Sequence, residues 1–341
     1  MSGQTPETTR DDASAAPREH QARSHARDLD ALRIGTRGSD LARWQANWVA
    51  DALRAAHPGL RVEIVEIKTR GDRDRATSLT QMGGQGVFTK EIQRALLDGS
   101  VDLAVHSLKD LPTMAVAGLT LAAVPPREDP RDALIAPAAR MLDALPAGAR
   151  IGTSSPRRRA LLLANRPDAR VVELRGNVET RLRQALEGTL DAVVLAAAGL
   201  SRLGLSEHVT ETLAAPRFLP AVGQGALGLE CRDDDDVTRA RVRALDHPAT
   251  HAAVIAERAL LEALQGGCLA PLAAWARVEA PHADASSTRL TLSAILLSPD
   301  GARQLEATVV GTIDDPRAAG LEAARDLFAR GARELLAAET A

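Results

Sequence analysis

The chain has 341 residues, of which 45% are hydrophobic and 26% are charged, with a formal net charge of -3. This length predicts two or three domains with real hydrophobic cores, and the small net charge gives no general case for binding nucleic acid or a membrane surface. Only two cysteines are present, Cys231 and Cys268, which excludes a disulfide framework and favours a reducing cytoplasm. No apolar run reaches the roughly eighteen residues of a membrane span, and residues 1–30 are predicted to be a disordered extension and not a secretory signal.

Two matched sets of signals, in the same order, predict two α/β domains of one design. Ile34-Gly35-Thr36 and Ile151-Gly152-Thr153 each end an apolar run ahead of a helical pattern. Asp98–Val105 resembles Glu187–Val194, and in both a helix stops at a glycine before a buried strand begins. Further strands are predicted at residues 60–67, 119–124 and 170–174. Their alternation with helices favours mostly parallel sheets.

Proline-rich segments mark where the chain passes between these domains. Pro125–Pro130 is the predicted crossing and Pro220–Gly225 the return. Domain 1 then comprises residues 31–125 and 222–245, and domain 2 comprises residues 126–221. The rest, residues 246–341, is predicted to form a small α+β domain: a helix from Asp246 with Pro248 in its first turn to about Gln265, strands at 269–278, 289–297 and 304–311, and a closing helix at 315–338.

Polar and cationic side chains gather where the predicted parallel strands end. In α/β sheets, ligands lie beyond the carboxyl ends of the strands, where helix N-termini present free N–H groups. Three such ends carry hydroxyl or guanidinium groups: Thr36–Ser39, His106–Asp110 and Thr153–Arg159. Each alone is consistent with an ordinary capped helix, but three from two matched domains favour an anion receptor.

Arginine is concentrated in the second predicted domain, where nine arginines fall between positions 150 and 183. A ligand with many carboxylates, or a phosphate chain, would account for this density, although some of these arginines must be surface residues. Nucleic acid is disfavoured, since three Phe, three Trp and no Tyr leave few rings for base stacking. No metal site is predicted, because His247 and His251 lack the acidic signature of a zinc helix.

Two residues of this sequence suggest chemistry as well as binding. Asp110 either pairs with Lys109 or a neighbouring arginine, or it stabilises a positively charged intermediate or moves a proton. Cys268 lies in the turn Gly266–Pro271, where two glycines let another group approach its sulfur, so it is a candidate nucleophile. Cys231 ends an apolar run and is predicted to be a small buried hydrophobe.

Taken together, these segments resemble the porphobilinogen deaminase (hydroxymethylbilane synthase) family, from about Leu32 to the end of the chain. The motifs that carry the resemblance are Arg37-Gly38-Ser39-Asp40-Leu41-Ala42-Arg43-Trp44-Gln45, Thr69–Asp72, Val105–Pro112, Arg127–Asp132, Gly152–Arg158, Leu174–Asn177, Pro220–Gly225 and Glu262–Pro271. The chain departs from the family at Gln85, where the family's glycine-rich loop usually carries a lysine.

The resemblance implies two α/β domains similar to periplasmic binding proteins, with the active site in the cleft between them, plus a small α+β domain. It implies a transferase of porphyrin and haem biosynthesis. Porphobilinogen would lose ammonia to give an electrophilic azafulvene, four units would be joined head to tail, and water would release hydroxymethylbilane. Cys268 would hold a dipyrromethane cofactor as a thioether, and Asp110 would be the catalytic carboxylate.

Other residues would, by the same resemblance, hold the acetate and propionate side chains of the pyrroles or pack against the cofactor. The implied cofactor-binding residues are Arg37, Ser39, Phe88, Ser107, Lys109, Thr153, Ser154, Ser155, Arg157, Arg158 and Arg175. The implied substrate-binding residues are Arg37, Arg175, Arg181 and Arg202. We expect a cytoplasmic monomer with no nucleic-acid, membrane or metal partner. The alternative, a two-domain anion-binding protein without catalysis, does not explain Cys268.

Overall fold

The computed structural model describes residues 30–69, 86, 89–264, 271–279 and 287–337. The predictions made for residues 1–29, Gln85, Phe88 and Cys268 therefore lie outside the described residues. The described strands are β1 (Ala31–Thr36), β2 (Arg61–Glu66), β3 (Leu103–Ser107), β4 (Leu119–Ala123), β5 (Asp132–Ile135), β6 (Arg150–Gly152), β7 (Arg170–Val172), β8 (Ala192–Ala196), β9 (Glu211–Leu213), β10 (Leu227–Arg232), β11 (Leu272–Val278), β12 (Arg289–Leu297) and β13 (Gln304–Thr312).

Helices connect most of these strands, which makes the fold α/β as predicted. The described α-helices are α1 (Asp40–Ala56), α2 (Lys90–Leu97), α3 (Pro156–Asn165), α4 (Val178–Leu186), α5 (Ala197–Arg202), α6 (Asp236–Val242), α7 (Pro248–Leu264), α8 (Pro316–Ala329) and α9 (Ala332–Ala337). A 3-10 helix at Leu108–Asp110 directly follows β3. In the described ranges, no helix is long and apolar enough to cross a bilayer.

The first two sheets share one plan, which confirms the prediction of two matched α/β domains. The first has the strand order β2-β1-β3-β10-β4 and the second β7-β6-β8-β5-β9. In each, three neighbouring strands run parallel (β2, β1, β3 and β7, β6, β8), and the fourth strand is antiparallel to both of its neighbours. The parallel strands therefore point their carboxyl ends to one edge of each sheet.

The starts of α1 and α3 show how the sequence places these edges. Ser39 precedes α1, and its hydroxyl accepts a hydrogen bond from the Ala42 N–H at 3.4 Å. Ser155 does the same for α3, accepting from the Arg158 N–H at 3.4 Å, with Pro156 at the first helical position. A serine cap is a strong start signal for a helix, and at α3 the proline that follows it strengthens the signal. Both helices thus begin directly after the strands β1 and β6.

A three-stranded antiparallel sheet, β11-β12-β13, forms the third domain and packs against α7 and α8. Two local predictions here are wrong. Asp246 does not cap α7: His247 directly precedes Pro248, and its ring Nδ1 accepts from the Thr250 N–H at 3.3 Å, while the Asp246 carboxylate accepts from the Val124 N–H at 2.8 Å. The closing helix is divided into α8 and α9 at Gly331, whose φ of 101° is incompatible with a continuing α-helix.

The third domain is buried against both of the others. Ala273, Ile295 and Leu297 share an apolar cluster with Leu161 and Leu162 of α3. Val254 of α7 shares another with Leu108 and Leu111 of the first domain. The boundaries at residues 125/126, 221/222 and 245/246 remain predictions.

Candidate functional site

A small pocket of about 80 Å³, open to solvent, lies between the first two domains. The ends of β3 and β8 reach it, and the first turns of α1, α4 and α5 contribute to its wall. Because helix N-termini carry partial positive charge, three of them at one pocket favour an anionic ligand. The described lining residues are Leu41, Gln45, Ser107, Lys109, Arg158, Val178, Arg181, Leu195, Ala196, Ala198, Gly199, Arg202, Gly223, Gly225 and Ala226.

Four cationic side chains line this pocket, and all four were predicted as binding residues: Lys109, Arg158, Arg181 and Arg202. Burial lowers the pKa of Lys109 to about 8, with Asp110 opposing the effect and Arg158 adding to it. Burial also lowers the pKa of Arg202 to about 10, against the opposing effect of Glu128. Burial therefore removes part of the hydration of both cations, which favours a carboxylate ligand beside them.

Asp132 anchors the inner wall of the pocket. Its carboxylate is buried and accepts hydrogen bonds from Arg157 at 2.7 Å, Arg158 at 2.9 Å and the amide of Gln224 at 2.8 Å. Burial alone would raise the pKa of this carboxyl, but Arg157 and Arg158 outweigh burial and hold the pKa of Asp132 well below its usual range. One buried anion thus fixes two guanidinium groups.

Arg157 and Arg158 differ in what their remaining donors do. Arg157 also donates to the Leu219 carbonyl at 2.7 Å and does not line the pocket. Arg158 donates to the Val194 carbonyl at 3.0 Å and to Gln224 at 3.3 Å, and it does line the pocket. The described geometry therefore favours a supporting role for Arg157, behind Arg158.

Arg202 and Arg181 are held by backbone carbonyls. Arg202 is 8% exposed, donates to the Gly225 carbonyl at 2.7 Å, and lies 5.9 Å from the ring centre of Trp44 on the opposite domain. Arg181 donates to the Gly176 carbonyl at 2.8 Å, and burial followed by the charge of Arg158 lowers its pKa, an effect that Asp110 opposes. Both arginines are therefore fixed with little of their charge neutralised.

Asp110 ends the 3-10 helix after β3 and is exposed. Its charge acts on both Lys109 and Arg181. The predicted catalytic carboxylate thus lies among the pocket cations, although it does not contribute to the lining itself.

The other described residues of the predicted site lie at the ends of strands or directly after them. Ser107 lines it and hydrogen bonds to Gln45 at 3.0 Å. Arg37, Ser39, Thr153, Ser154, Ser155 and Arg175 lie at strand ends beyond the lining. Thr153 accepts from the Ser155 N–H at 3.2 Å, and Arg175 is ion-paired with Glu173 at 2.8 Å. No group of acidic, histidine or cysteine side chains in the described ranges could hold a metal ion.

Three polar residues at the site received no role from the sequence: Gln45, Asp132 and Gln224. Gln224 lies between two glycines of positive φ, Gly223 and Gly225, and its oxygen is 3.5 Å from Lys109 Nζ. Two features of the sequence could have pointed to these residues. One is the Gln224 amide between two glycines, and the other is Asp132 at the start of the apolar run of β5.

Known proteins match this chain over nearly its whole length. Residues 32–240 match the family model described as porphobilinogen deaminase, dipyrromethane cofactor binding domain, and residues 251–329 match porphobilinogen deaminase, C-terminal domain. The porphobilinogen deaminase of Syntrophotalea carbinolica is 51% identical over 308 residues, covering 90% of this chain and 96% of that protein. The one from Geobacter sulfurreducens is 50% identical over 309 residues, covering 91% and 95%.

Among solved structures, a periplasmic sulfonate-binding protein from Methylobacillus flagellatus is similar, with a TM-score of 0.36 and 17% identity over 69% of this chain and 68% of that chain.

Proposed function

This chain belongs to the porphobilinogen deaminase family, and on that premise we propose that it condenses four porphobilinogen molecules head to tail, with loss of ammonia, and releases hydroxymethylbilane. It is an enzyme of tetrapyrrole synthesis, and we assign it to the transferases. The observation that carries the proposal is the pocket between two α/β domains with four cationic side chains in its lining. A binding protein without catalysis is not favoured, since both matching family models describe a deaminase.

The pocket residues fit the dipyrromethane cofactor. Each pyrrole ring of that group carries two carboxylates, and the four cations offer a matching set of partners. Leu41, Val178 and Leu195 add an apolar wall against which flat rings can pack. When bound through Cys268, which lies outside the described residues, the cofactor would supply the terminal pyrrole carbon to which the first substrate is joined.

The cations act by holding carboxylates in place. Lys109, Arg158, Arg181 and Arg202 surround the pocket from both domains, so a ligand that bridges them is fixed in position and orientation. Around them we propose the further cofactor contacts Arg37, Ser39, Phe88, Ser107, Thr153, Ser154, Ser155 and Arg175, with Arg157 acting only as a support for Arg158. For substrate carboxylates we propose Arg37, Arg175, Arg181 and Arg202.

Asp110 is proposed to act on the reacting centre. An anion beside the pocket repels substrate carboxylates, which makes it a poor binding residue. It does favour the positive charge that develops on the substrate pyrrole as ammonia leaves, and it can take up the proton that the pyrrole carbon loses after bond formation. Its contribution should therefore appear in the rate more than in binding.

The intact mass of the purified protein tests the cofactor proposal. The parent protein should exceed its sequence mass by one dipyrromethane. Cys268→Ser should lack the added mass, whereas Cys231→Ser should keep it, since Cys231 is fully buried in the first domain. A fully loaded Cys268→Ser protein would refute the proposed attachment site.

Single-turnover kinetics test the role of Asp110. Asp110→Asn is loaded by supplying preformed tetrapyrrole, loading is confirmed by mass, and addition of porphobilinogen is then measured. The rate should fall by about 10²–10³-fold or more. Asp143→Asn is the control, because that exposed carboxylate pairs with Arg217 away from the pocket. Parental rates in the loaded Asp110→Asn protein would leave Asp110 as an ion-pair partner only.

The setting of the enzyme is also proposed. We place it in the cytoplasm as a monomer that binds neither nucleic acid nor membranes. Sedimentation of the purified protein at two concentrations would test the monomer.

A further inference from the structure

The backbone that follows Asp110 is held by an arginine of the third domain. Arg258 of α7 donates from Nη1 to the Leu111 carbonyl at 2.8 Å and from Nη2 to the Pro112 carbonyl at 2.6 Å. Arg258 lies on the helix that precedes the Cys268 segment, whereas Leu111 and Pro112 belong to the first domain. One guanidinium therefore binds two successive carbonyls across a domain contact.

Apolar packing against α7 holds the same segment. The residue that provides it lies one helical turn before Arg258. Val254 is fully buried in a cluster with Leu108 and Leu111, which flank Lys109 and Asp110 on both sides. The Leu108 N–H also donates to the Ala226 carbonyl at 3.0 Å. Asp110 itself is exposed, so its position depends on how firmly these neighbours are fixed.

We propose that Arg258 is a positioning residue for the reaction: it sets the place of the Asp110 carboxylate by fixing the two carbonyls that follow it. This rests on the proposed catalytic role of Asp110. The planar, two-pronged guanidinium suits this task, because it binds two acceptors in one rigid geometry, which the single ammonium group of a lysine cannot do. A displacement of about 1 Å at a reacting group can cost as much as 10²-fold in rate.

The test compares Arg258→Met with Arg166→Met in cofactor-loaded protein. Arg166 is the control, since its guanidinium also donates to backbone carbonyls, Leu142 at 2.5 Å and Leu145 at 2.9 Å, in addition to pairing with Asp168, but it lies outside the pocket lining. Arg258→Met should lower the single-turnover rate about 10- to 100-fold with KM changed less than about threefold. Arg258→Lys should lose less, and Arg166→Met should keep the parental rate.

A double-mutant cycle separates positioning from a general loss of structure. If Arg258 acts through Asp110, then Arg258→Met should cause little further loss in an Asp110→Asn background. Fully multiplicative losses, or a parental rate in folded, loaded Arg258→Met, would overturn the proposal. Should Arg258→Met fail to fold, the same cycle is run with Arg258→Lys. A parental rate in Asp110→Asn alone would instead refute the proposed function of Asp110.

Discussion

Lys109 is one of only three lysines among the 42 lysine and arginine residues of the chain. It lines the pocket, so a change in its protonation should alter ligand binding. Burial brings its pKa to about 8, within reach of ordinary assay conditions. An arginine at the same place would stay charged throughout that range. The chemistry of this one side chain therefore allows a direct test of whether its charge contributes to binding.

The ratio kcat/KM should fall as pH rises through about 8, because the Lys109 ammonium loses its proton and no longer attracts a substrate or cofactor carboxylate. Lys109→Arg should move this fall to higher pH. The profile is measured from about pH 6 to pH 10, where kcat/KM reports groups of the free enzyme. An unchanged fall near pH 8 in Lys109→Arg would assign the titration to another group.

The protonation of Lys109 affects the stability of the fold in the opposite direction to its effect on ligand binding. Its folded pKa, about 8, lies below the ordinary value of 10.5, so the unfolded chain binds more protons between these two pH values. The free energy of unfolding contributed by Lys109 therefore rises with pH across that window, while ligand binding weakens.

Which arginines would be free for a ligand could not be predicted residue by residue. The clustering of guanidinium groups and hydroxyls at strand ends did predict the pocket, since strand ends follow from apolar runs and turn residues. The pairing of Arg157 and Arg158 with Asp132 depends on β5 lying beside β8 in the second sheet. No local pattern specifies that order, so one cation of the predicted set turned out to be held inside the protein.

At the scale of elements, the two segments that cross between the first two domains meet at one glycine, Gly225, at the end of the return crossing Pro220–Gly225. Gly225 has a φ of 85°, and its carbonyl accepts from Arg202 at 2.7 Å and from the Glu128 N–H at 3.3 Å. A Cβ at this position would lie 2.4 Å from the Glu128 carbonyl oxygen of the other crossing. Only glycine allows the two crossing segments to approach this closely.

Gly225→Ala should destabilise the protein by about 1–3 kcal/mol more than Gly204→Ala. Gly204 has a similar φ of 69°, but a Cβ added there would have no atom within 4 Å, so it shares the backbone strain without the clash. Urea denaturation of the two variants measures the difference. Equal midpoints would show that the crossing segments move apart at little cost.

Long or strongly patterned elements were predictable, whereas only some short strands were: β6 and β7, of three residues each, lie within predicted runs. The strands of the third domain and the helix α7 follow clear apolar patterns and were predicted within a few residues. β5 and β9 were not predicted, because four and three residues are too few to show a period. The break at Gly331 was missed because a glycine in an otherwise helical pattern is often tolerated.

At the scale of the whole molecule, one buried carboxylate connects the third domain to both crossings. Glu257 of α7 has no exposed surface. It accepts from Arg127 at 2.7 Å and 3.1 Å, from the Gly223 N–H at 2.7 Å and from the Ala276 N–H at 2.9 Å. Arg127 in turn donates to the Gln224 carbonyl at 2.8 Å, next to the pocket. The relative placement of the domains therefore depends on a buried charge that Arg127 and two backbone amides compensate.

Glu257→Gln should destabilise the whole protein and not one domain alone. The amide keeps the shape but leaves the buried guanidinium of Arg127 without its anion, and one partner lost from a buried pair typically costs about 3–5 kcal/mol. Glu262→Gln is the control on the same helix: Glu262 pairs with Arg317 at 3.0 Å at the surface, where such pairs contribute about 0–1 kcal/mol.

Urea denaturation followed by tryptophan fluorescence and by far-UV circular dichroism should give coincident transitions, shifted to lower urea in Glu257→Gln only. Amide hydrogen exchange should quicken at Gly223 and Ala276, the two backbone donors that lose a charged acceptor. Equal midpoints for the two variants would show that Arg127 finds another partner. Transitions that separate by probe would show that Glu257 joins domains that otherwise unfold independently.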